Sequence, residues 1–161
     1  FVPFGDIAAF AALTLAAFLL IVPGLLTPNP TSVRQEGALD RPDAVKGMLR
    51  ITRHPFLWGV ALWAAGHLLV NGDLASFVLF GAMLALAVLG TSSIDAKRKR
   101  ALGEKWDAFA AQTSNAPFGA ILAGRQKLNI GEIGWRLIVG VVVWAAVLAT
   151  HRMAFGVSPL P

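Results

Sequence analysis

Four long apolar stretches constrain this chain more than any other feature of its sequence. They cover residues 7–26, 55–72, 74–92 and 133–150, and each is long enough to span or nearly span a lipid core about 30 Å thick, which takes roughly 20 helical residues. Of the 161 residues, 56% are hydrophobic and 14% are charged, whereas about a quarter are charged in a soluble domain. The sequence therefore predicts an all-α polytopic bundle with four transmembrane spans, in a single membrane domain covering residues 1–161.

The distribution of basic residues predicts the orientation of this bundle. All but one of the 14 Lys and Arg residues lie in the two long loops or at their borders, and the exception is Arg152. The positive-inside rule then places both long loops in the cytoplasm and the 71–73 turn outside. Because these charges flank membrane spans, we expect them to meet anionic lipid headgroups and not nucleic acid.

Residues 95–112 carry Leu102, Trp106 and Phe109 on one face of a helix. With the basic run 97–100 near its start, this pattern predicts a helix lying on anionic lipid. The alternative is a solvated helix that caps the bundle.

Two further patterns concern packing and connection. Ala8, Ala12 and Ala16 form a ridge of small residues on the first span, and residues 81–85 offer a similar ridge on the third. Such ridges let helix backbones approach closely in lipid. Residues 27–46 are rich in Pro, Gly and Asp and are interpreted as a linker.

Arg50, Arg53 and His54 precede Pro55, and proline is favoured in the first turn of a helix. Free backbone N–H groups at a helix N-terminus attract anions. We therefore predict an anion site at these three side chains, for the phosphate or carboxylate of a lipid headgroup or ligand. The alternative is that the arginines only anchor the helix to lipid phosphates.

His67 lies inside an apolar stretch, about 18 Å from the start of its span and in the outer half of the membrane. An ionisable group there is costly and indicates function. It either makes a hydrogen bond between helices or ligates a metal or haem iron, with Trp63 one turn away as a wall of the pocket. His151 lies at a similar depth and is allowed as a second ligand, with Arg152 beside it to meet a haem carboxylate. The chain has no cysteine, which excludes thiolate ligands.

The chain resembles the NnrU family of bacterial membrane proteins over nearly its whole length. The resemblance rests on GMLRITRHPFLWGVALWAAGHLLVNGDLASFVLFG, on DAKRKRALGEKWDAFAAQTSNAPFGAILAGR and on the ending HRMAFGVSP. It implies a place in the bacterial inner membrane and a link to nitrite and nitric oxide metabolism, that is, to denitrification. It also implies that helices preceding Phe1 are absent from this chain, so that the complete protein has about six spans.

The NnrU family also includes 15-cis-zeta-carotene isomerase, a plant and cyanobacterial membrane enzyme in which histidines ligate haem b. The resemblance implies that this chain binds haem b and that His67, in AAGHLL, is one iron ligand, with the other on the missing helices. It further implies a redox-dependent isomerase activity on a small apolar substrate. A homo-oligomer or a respiratory-complex partner is compatible with such a protein.

Two other functions stay open. The motif from Arg53-His54-Pro55 to Gly59 also resembles the cofactor site of isoprenylcysteine carboxyl methyltransferases, which use S-adenosylmethionine and an acidic pair. Here Asp95 stands alone before four cations, so we do not expect that cofactor to bind. The other alternative is a non-catalytic accessory or assembly protein.

Overall fold

The computed structural model describes residues 4–159. Within this range the chain forms α-helices and no β-strand, which confirms the all-α prediction. Two short 3-10 helices, Glu36–Asp40 and Gly47–Arg50, lie between the first two α-helices. The α-helices in chain order are α1 (Phe4–Leu25), α2 (Pro55–Val70), α3 (Leu74–Leu102), α4 (Glu104–Gln112), α5 (Gly119–Leu122) and α6 (Ile130–Phe155).

Among residues 4–159, the three helices α1, α3 and α6 are long and apolar enough to cross a membrane. Helix α2 has 16 residues, which corresponds to about 24 Å and falls short of a hydrocarbon core of about 30 Å. The four predicted spans are therefore three long helices and one short apolar helix. The second apolar stretch ends early because Asn71 already has an extended backbone.

Local sequence signals explain both ends of the α2–α3 hairpin. Pro55 occupies the first turn of α2, as predicted. The backbone N–H of Ser76 donates to the Asp73 carboxylate at 2.9 Å, so Asp73 caps the N-terminus of α3. The hydrogen bonds from Ser76 hold the pKa of the Asp73 carboxyl below its ordinary value.

The helices stand in the order α3, α2, α1, α6, because α2 packs against both α1 and α3 while α6 packs against α1. A Cβ added to Gly59 of α2 would lie 2.8 Å from the carbonyl oxygen of Ala17. A Cβ added to Gly140 of α6 would lie 3.1 Å from the carbonyl oxygen of Phe18. Glycines at these two contacts therefore set how closely the neighbouring helices approach α1.

The two predicted ridges of small residues are wrong for the contacts in this structure. Ala8 and Ala12 are exposed, and nothing lies within 4 Å of a Cβ added to Gly81. The buried side chains of α1 instead include Phe10, Thr14 and Ala17. Small residues occur on several faces of these helices, and their spacing does not say which face meets a neighbour.

Helices α3 and α6 expose much of their apolar surface. Exposed fractions of 55 to 72% are found for Leu79, Leu86, Leu89, Ile138 and Val142. Soluble monomers rarely expose large contiguous apolar patches, whereas lipid chains cover such surfaces at no cost. The length of the helices and this exposed surface together indicate an integral membrane protein.

The most completely buried segment lies at the end of the bundle that carries the basic loops. We call residues 47–54 the loop hub. Its side chain Met48 packs against Ile51 and against Ile133 of α6. On the other side, Leu49 packs against Trp106 and Phe109 of α4. The loop hub thus joins α6 to α4.

Helix α4 caps the bundle and does not lie with its apolar face on lipid. Trp106 is 2% exposed and Phe109 is 3% exposed, because both pack on the loop hub. The region is also not one helix from residue 95, since α3 runs to Leu102 and Gly103 interrupts it with a φ of +53°. Of the two interpretations of this region, the capping helix is confirmed.

The predicted linker is ordered at its start. Asn29 and Thr31 are buried, and both side chains donate to the backbone carbonyl of Arg53, at 3.1 and 2.9 Å. Thr27 is buried as well, and its hydroxyl donates to the carbonyl of Pro23 at 2.8 Å. The 27–31 segment is therefore part of the packing around the loop hub.

Candidate functional site

His67 lies in the last turn of α2 and is half-buried. Its Nδ1 is 2.8 Å from the backbone carbonyl oxygen of Trp63, one turn earlier. A carbonyl oxygen can only accept, so Nδ1 carries the proton, and the lone pair of the neutral ring is on Nε2. Among residues 7–159, whose side chains the structure describes, no group forms a hydrogen bond with Nε2. Histidine ligands of metals usually have this arrangement, with the other nitrogen fixed by a carbonyl or carboxylate.

Three aromatic rings surround the His67 imidazole. The ring centroid of Trp63 lies 4.3 Å away, that of Phe80 on α3 lies 4.7 Å away, and that of Phe10 on α1 lies 5.2 Å away. Phe80 stacks on the imidazole, while Phe10 meets it edge to face. We call these four residues the aromatic cluster. The sequence indicated Trp63 but not the two phenylalanines, because they come from other helices and no pattern in the chain pairs them with His67.

His151 and Arg152 lie in the last turns of α6. The Nδ1 of His151 is 2.9 Å from the carbonyl oxygen of Val157, so this imidazole has the same tautomer as His67. The rings of His151 and His67 make no contact with each other among the described residues. Arg152 is exposed. Their roles as second ligand and as partner of a haem carboxylate stay predictions.

The donor groups around His67 fit haem better than a bare metal ion. Within residues 4–159 no cluster of three His, Cys, Asp or Glu side chains could hold a metal ion. Haem iron takes four ligands from its own porphyrin and needs only one or two from the protein. One imidazole prepared for ligation, enclosed by aromatic rings, is a donor set that suits haem.

The second group of polar residues surrounds Asp95 of α3. It lies at the end of the bundle that carries the basic loops, which we call the loop end. The Arg53 guanidinium donates to the Asp95 carboxylate from Nε at 2.9 Å and from Nη2 at 2.6 Å. The His54 Nε2 donates to it at 2.7 Å, and the Asn115 amide donates at 3.2 Å. We call these four residues the Asp95 cluster. It joins the loop hub, α3 and the loop that follows α4.

His54 is fixed in this cluster. Its side chain is 1% exposed, and its Nε2 carries a proton because the carboxylate can only accept. Its Nδ1 is buried and has no hydrogen-bond partner among the described residues. Arg53 also lies over the ring of Trp106, with 5.9 Å between the guanidinium carbon and the ring centroid.

Arg50 belongs to a different contact. Its Nε and Nη2 each donate to the carboxylate of Glu132 on α6 at 2.9 Å. The backbone N–H of Gly47 donates to the same carboxylate at 2.6 Å, and Arg50 Nη1 donates to Gln126 at 2.7 Å. No pattern in the chain pairs Arg50 with Glu132, since 82 positions separate them.

The structure therefore divides the three residues of the predicted anion site. Arg50 pairs with Glu132, while Arg53 and His54 pair with Asp95. The anions that these side chains meet in the structure are carboxylates of the protein itself. Binding of an external anion at this place stays a prediction, and the geometry gives it no support.

The fold and the aromatic cluster define a polytopic helical membrane protein in which one histidine lies among aromatic side chains of three helices. Residues 2–159 match the family model described as NnrU protein, and the chain belongs to this family, as its resemblance predicted. It is also similar to 15-cis-zeta-carotene isomerase, chloroplastic, from Zea mays and from Arabidopsis thaliana, with 30% identity over 106 residues in each case. These alignments cover 64% of this chain and 29% of each relative, so the chain spans less than a third of their length. No solved structure matches the chain.

Proposed function

We propose that this protein binds haem b within the membrane and that His67 is an axial ligand of the iron. The observation that carries the proposal is the state of the His67 ring. Its Nδ1 is fixed by the Trp63 carbonyl at 2.8 Å, and its Nε2 is left without a partner in the described part of the chain. A hydrogen-bonding role between helices would use the ring to reach a neighbouring helix, but this hydrogen bond stays within α2.

The residues around His67 have defined roles in this proposal. The Trp63 carbonyl orients the imidazole and increases the basicity of Nε2. Phe10 and Phe80 restrict the ring and provide apolar surface for a porphyrin. Bound haem would supply a redox-active iron centre.

The similarity to the two isomerases favours an isomerase-type activity for the haem site. We propose an apolar substrate that reaches the site from lipid, since α3, which carries Phe80, exposes much of its apolar surface. Nitrite and nitric oxide metabolism stays the alternative setting for the same haem. The methyltransferase alternative lacks a free acidic group, because the Asp95 carboxylate is occupied by Arg53, His54 and Asn115.

An absorption spectrum of the purified full-length protein, with and without dithionite, tests the proposal. We expect a haem Soret band that shifts on reduction. His67→Ala and His67→Gln should each abolish or shift this band, because neither side chain offers an imidazole to iron. A wild-type protein that never binds haem, or a His67 variant with the wild-type spectrum, would contradict the proposal.

Matched variants separate ligation from damage to the fold. Asn71 lies one turn after His67, and its amide donates to the His67 carbonyl at 2.8 Å. Asn71→Ala should therefore leave the Soret band unchanged. His151→Gln tests the second ligand: a shifted band assigns His151 to the iron, and an unchanged band places the second ligand elsewhere.

We further propose that the protein lies in the bacterial inner membrane with its basic loops in the cytoplasm, because these loops carry nearly all the Lys and Arg residues. The chain has no native cysteine, so single cysteines can report the topology. Gln112→Cys should be protected from an impermeant reagent in intact cells, while Gly72→Cys should react. The reverse pattern would overturn the orientation.

A further inference from the structure

The clearest anion site in this structure lies where α1 ends and not at the loop hub. A cavity of about 430 Å³ opens beside the end of α1, and Leu25, Leu26, Arg34, Gln35 and Arg41 are among the residues that line it. We propose that this cavity binds the phosphate group of an anionic phospholipid, with Arg34 and Arg41 as the phosphate ligands.

The first argument is the distribution of charge. Most other cations at this end of the bundle have a carboxylate partner, as Arg50 has Glu132 and Arg53 has Asp95. Arg34 and Arg41 have no side-chain partner among the described residues. What sets these two arginines apart from other unpaired cations is that both line the same cavity, and guanidinium groups bind phosphate well.

The nearby carboxylates do not neutralise these two arginines. Glu36 is paired with Arg98. Asp43 lies within electrostatic range of Arg41, but it is paired with Lys46.

The second argument is the apolar surface on the membrane side of the cavity. Leu25 is the last residue of a helix that is long and apolar enough to cross a membrane, and it is 64% exposed. Leu26 follows it and is 42% exposed, and Val33 is 83% exposed. Apolar side chains therefore stand directly beside the two guanidinium groups. This arrangement, with apolar side chains next to guanidinium groups, matches a phospholipid, whose acyl chains lie next to its phosphate.

The third argument is that the backbone holds Arg34 in place. Arg34 has a φ of +60°, a conformation that residues other than glycine rarely adopt. The turn around it is fixed by neighbours: the Gln35 side chain accepts from the N–H of Asn29 at 2.9 Å, and Arg98 donates to the carbonyl of Ser32 at 2.8 Å. Contacts within the protein thus hold the backbone of the segment that carries Arg34.

The test uses the full-length protein in detergent, with lipid binding followed by native mass spectrometry and by titration with fluorescent lipid. We expect phosphatidylglycerol to bind more tightly than phosphatidylcholine. The double variant Arg34→Gln/Arg41→Gln should weaken phosphatidylglycerol binding about tenfold or more, while Arg34→Lys/Arg41→Lys should retain most of it. The matched control Arg100→Gln/Lys127→Gln, which removes two exposed charges from the other basic loop, should bind like the wild type.

A further arm distinguishes a lipid from a free anion. If a phospholipid occupies the cavity, Leu25→Ser should weaken phosphatidylglycerol binding, and millimolar inorganic phosphate should not displace the lipid. Displacement by inorganic phosphate would overturn the proposal in favour of a soluble anion. Equal binding of phosphatidylglycerol by the wild type and the double glutamine variant would also overturn it. Equal losses in the double variant and its matched control would have the same consequence, because binding would then depend only on net charge.

Discussion

The two histidines at the ends of α2 have contrasting surroundings. His54, just before the first residue of α2, is almost fully buried, and its Nε2 donates to the Asp95 carboxylate that also binds Arg53. His67, in the last turn, is half-buried, and its only fixed nitrogen is held by a carbonyl of its own helix. His54 therefore has a structural role. His67 has an Nε2 that forms no hydrogen bond with any group whose position the structure describes.

The same contrast extends to the regions around them. At the loop end, Asp95 and Glu132 each bind cations from a distant part of the sequence, so ion pairs and hydrogen bonds hold the segments together. In the membrane region the helices meet through close backbone contacts at glycine, and one hydrogen bond joins the side chains of Thr14 and Trp144. Charged contacts between distant segments thus hold the loop end, while close packing holds the membrane helices, and we expect the larger share of the stability at the loop end.

The largest effect on stability is expected at the Asp95 cluster. Asp95→Asn keeps the size of the side chain but leaves the Arg53 and His54 donors facing a neutral amide. Breaking a buried ion pair by removing one partner typically costs about 3–5 kcal/mol. We expect a loss of unfolding free energy in that range, measured by denaturant or thermal unfolding in detergent.

The control for this substitution is Asp107→Asn. Asp107 pairs with Lys99 at 3.2 Å, and both side chains are more than half exposed. Exposed ion pairs contribute little to stability, so this variant should unfold close to the wild type. Equal effects of the two substitutions would contradict the comparison between the loop end and the membrane region. The Asp95 cluster would then stabilise the protein no more than an exposed ion pair does.

A smaller effect is expected at the contact between α1 and α2. In Gly59→Ala the new Cβ would meet the Ala17 carbonyl oxygen at 2.8 Å and Ile21 Cγ1 at 2.5 Å. Backbone atoms cannot move aside as a flexible side chain can, so we expect a loss of about 2 kcal/mol from overpacking. The same unfolding measurement on Gly81→Ala provides the control.

Gly81→Ala should be neutral or stabilising, because nothing lies within 4 Å of the added Cβ and alanine favours a helix by up to about 1 kcal/mol over glycine. If Gly59→Ala were as well tolerated as Gly81→Ala, α1 and α2 would not be in close contact. The aromatic cluster would then lose its support, since Phe10 and His67 face each other across this contact.

The sequence predicts the helices of this fold well and their contacts poorly. Hydropathy and length found the apolar stretches, and Pro55 marked the start of α2 correctly. The same signals overestimated the length of α2, because the predicted stretch included Asn71, whose backbone is already extended. The spacing of small residues also misplaced the helix contacts. It identifies one face of a helix, such as the face of Ala8 and Ala12, but not the helix that packs against that face.

The candidate site could be predicted only in part, because sequence patterns identify residues on one helix but not the residues that meet them from other helices. An ionisable residue in an apolar stretch can be recognised from the sequence alone, so the sequence predicted His67 and its helical neighbour Trp63. Phe10 and Phe80 reach the imidazole from α1 and α3, and only the folded chain brings them there. The partners of Arg50, Arg53 and His54 were missed likewise, because Glu132 and Asp95 lie more than 40 positions away.

The smallest effect is expected at the hydrogen bond between α1 and α6. The Trp144 indole N–H donates to the Thr14 hydroxyl at 3.2 Å, and this hydroxyl donates to the Phe10 carbonyl of its own helix at 2.9 Å. Thr14→Val keeps the shape of the side chain but leaves the indole without an acceptor. Hydrogen bonds between membrane helices contribute about 0.6 kcal/mol on average, so we expect a loss of about 1 kcal/mol or less.

A matched threonine separates this bond from the loss of a hydroxyl. Thr150 of α6 donates to the Ala146 carbonyl at 2.8 Å in the same intrahelical geometry, but it is exposed and accepts nothing from another helix among the described residues. Thr150→Val should leave the unfolding free energy unchanged. In a double-mutant cycle, Thr14→Val and Trp144→Phe should couple by about 0.6 kcal/mol. A coupling as large as the loss in Asp95→Asn would contradict the comparison, because a single contact in the membrane would then stabilise the protein as much as the charged cluster at the loop end.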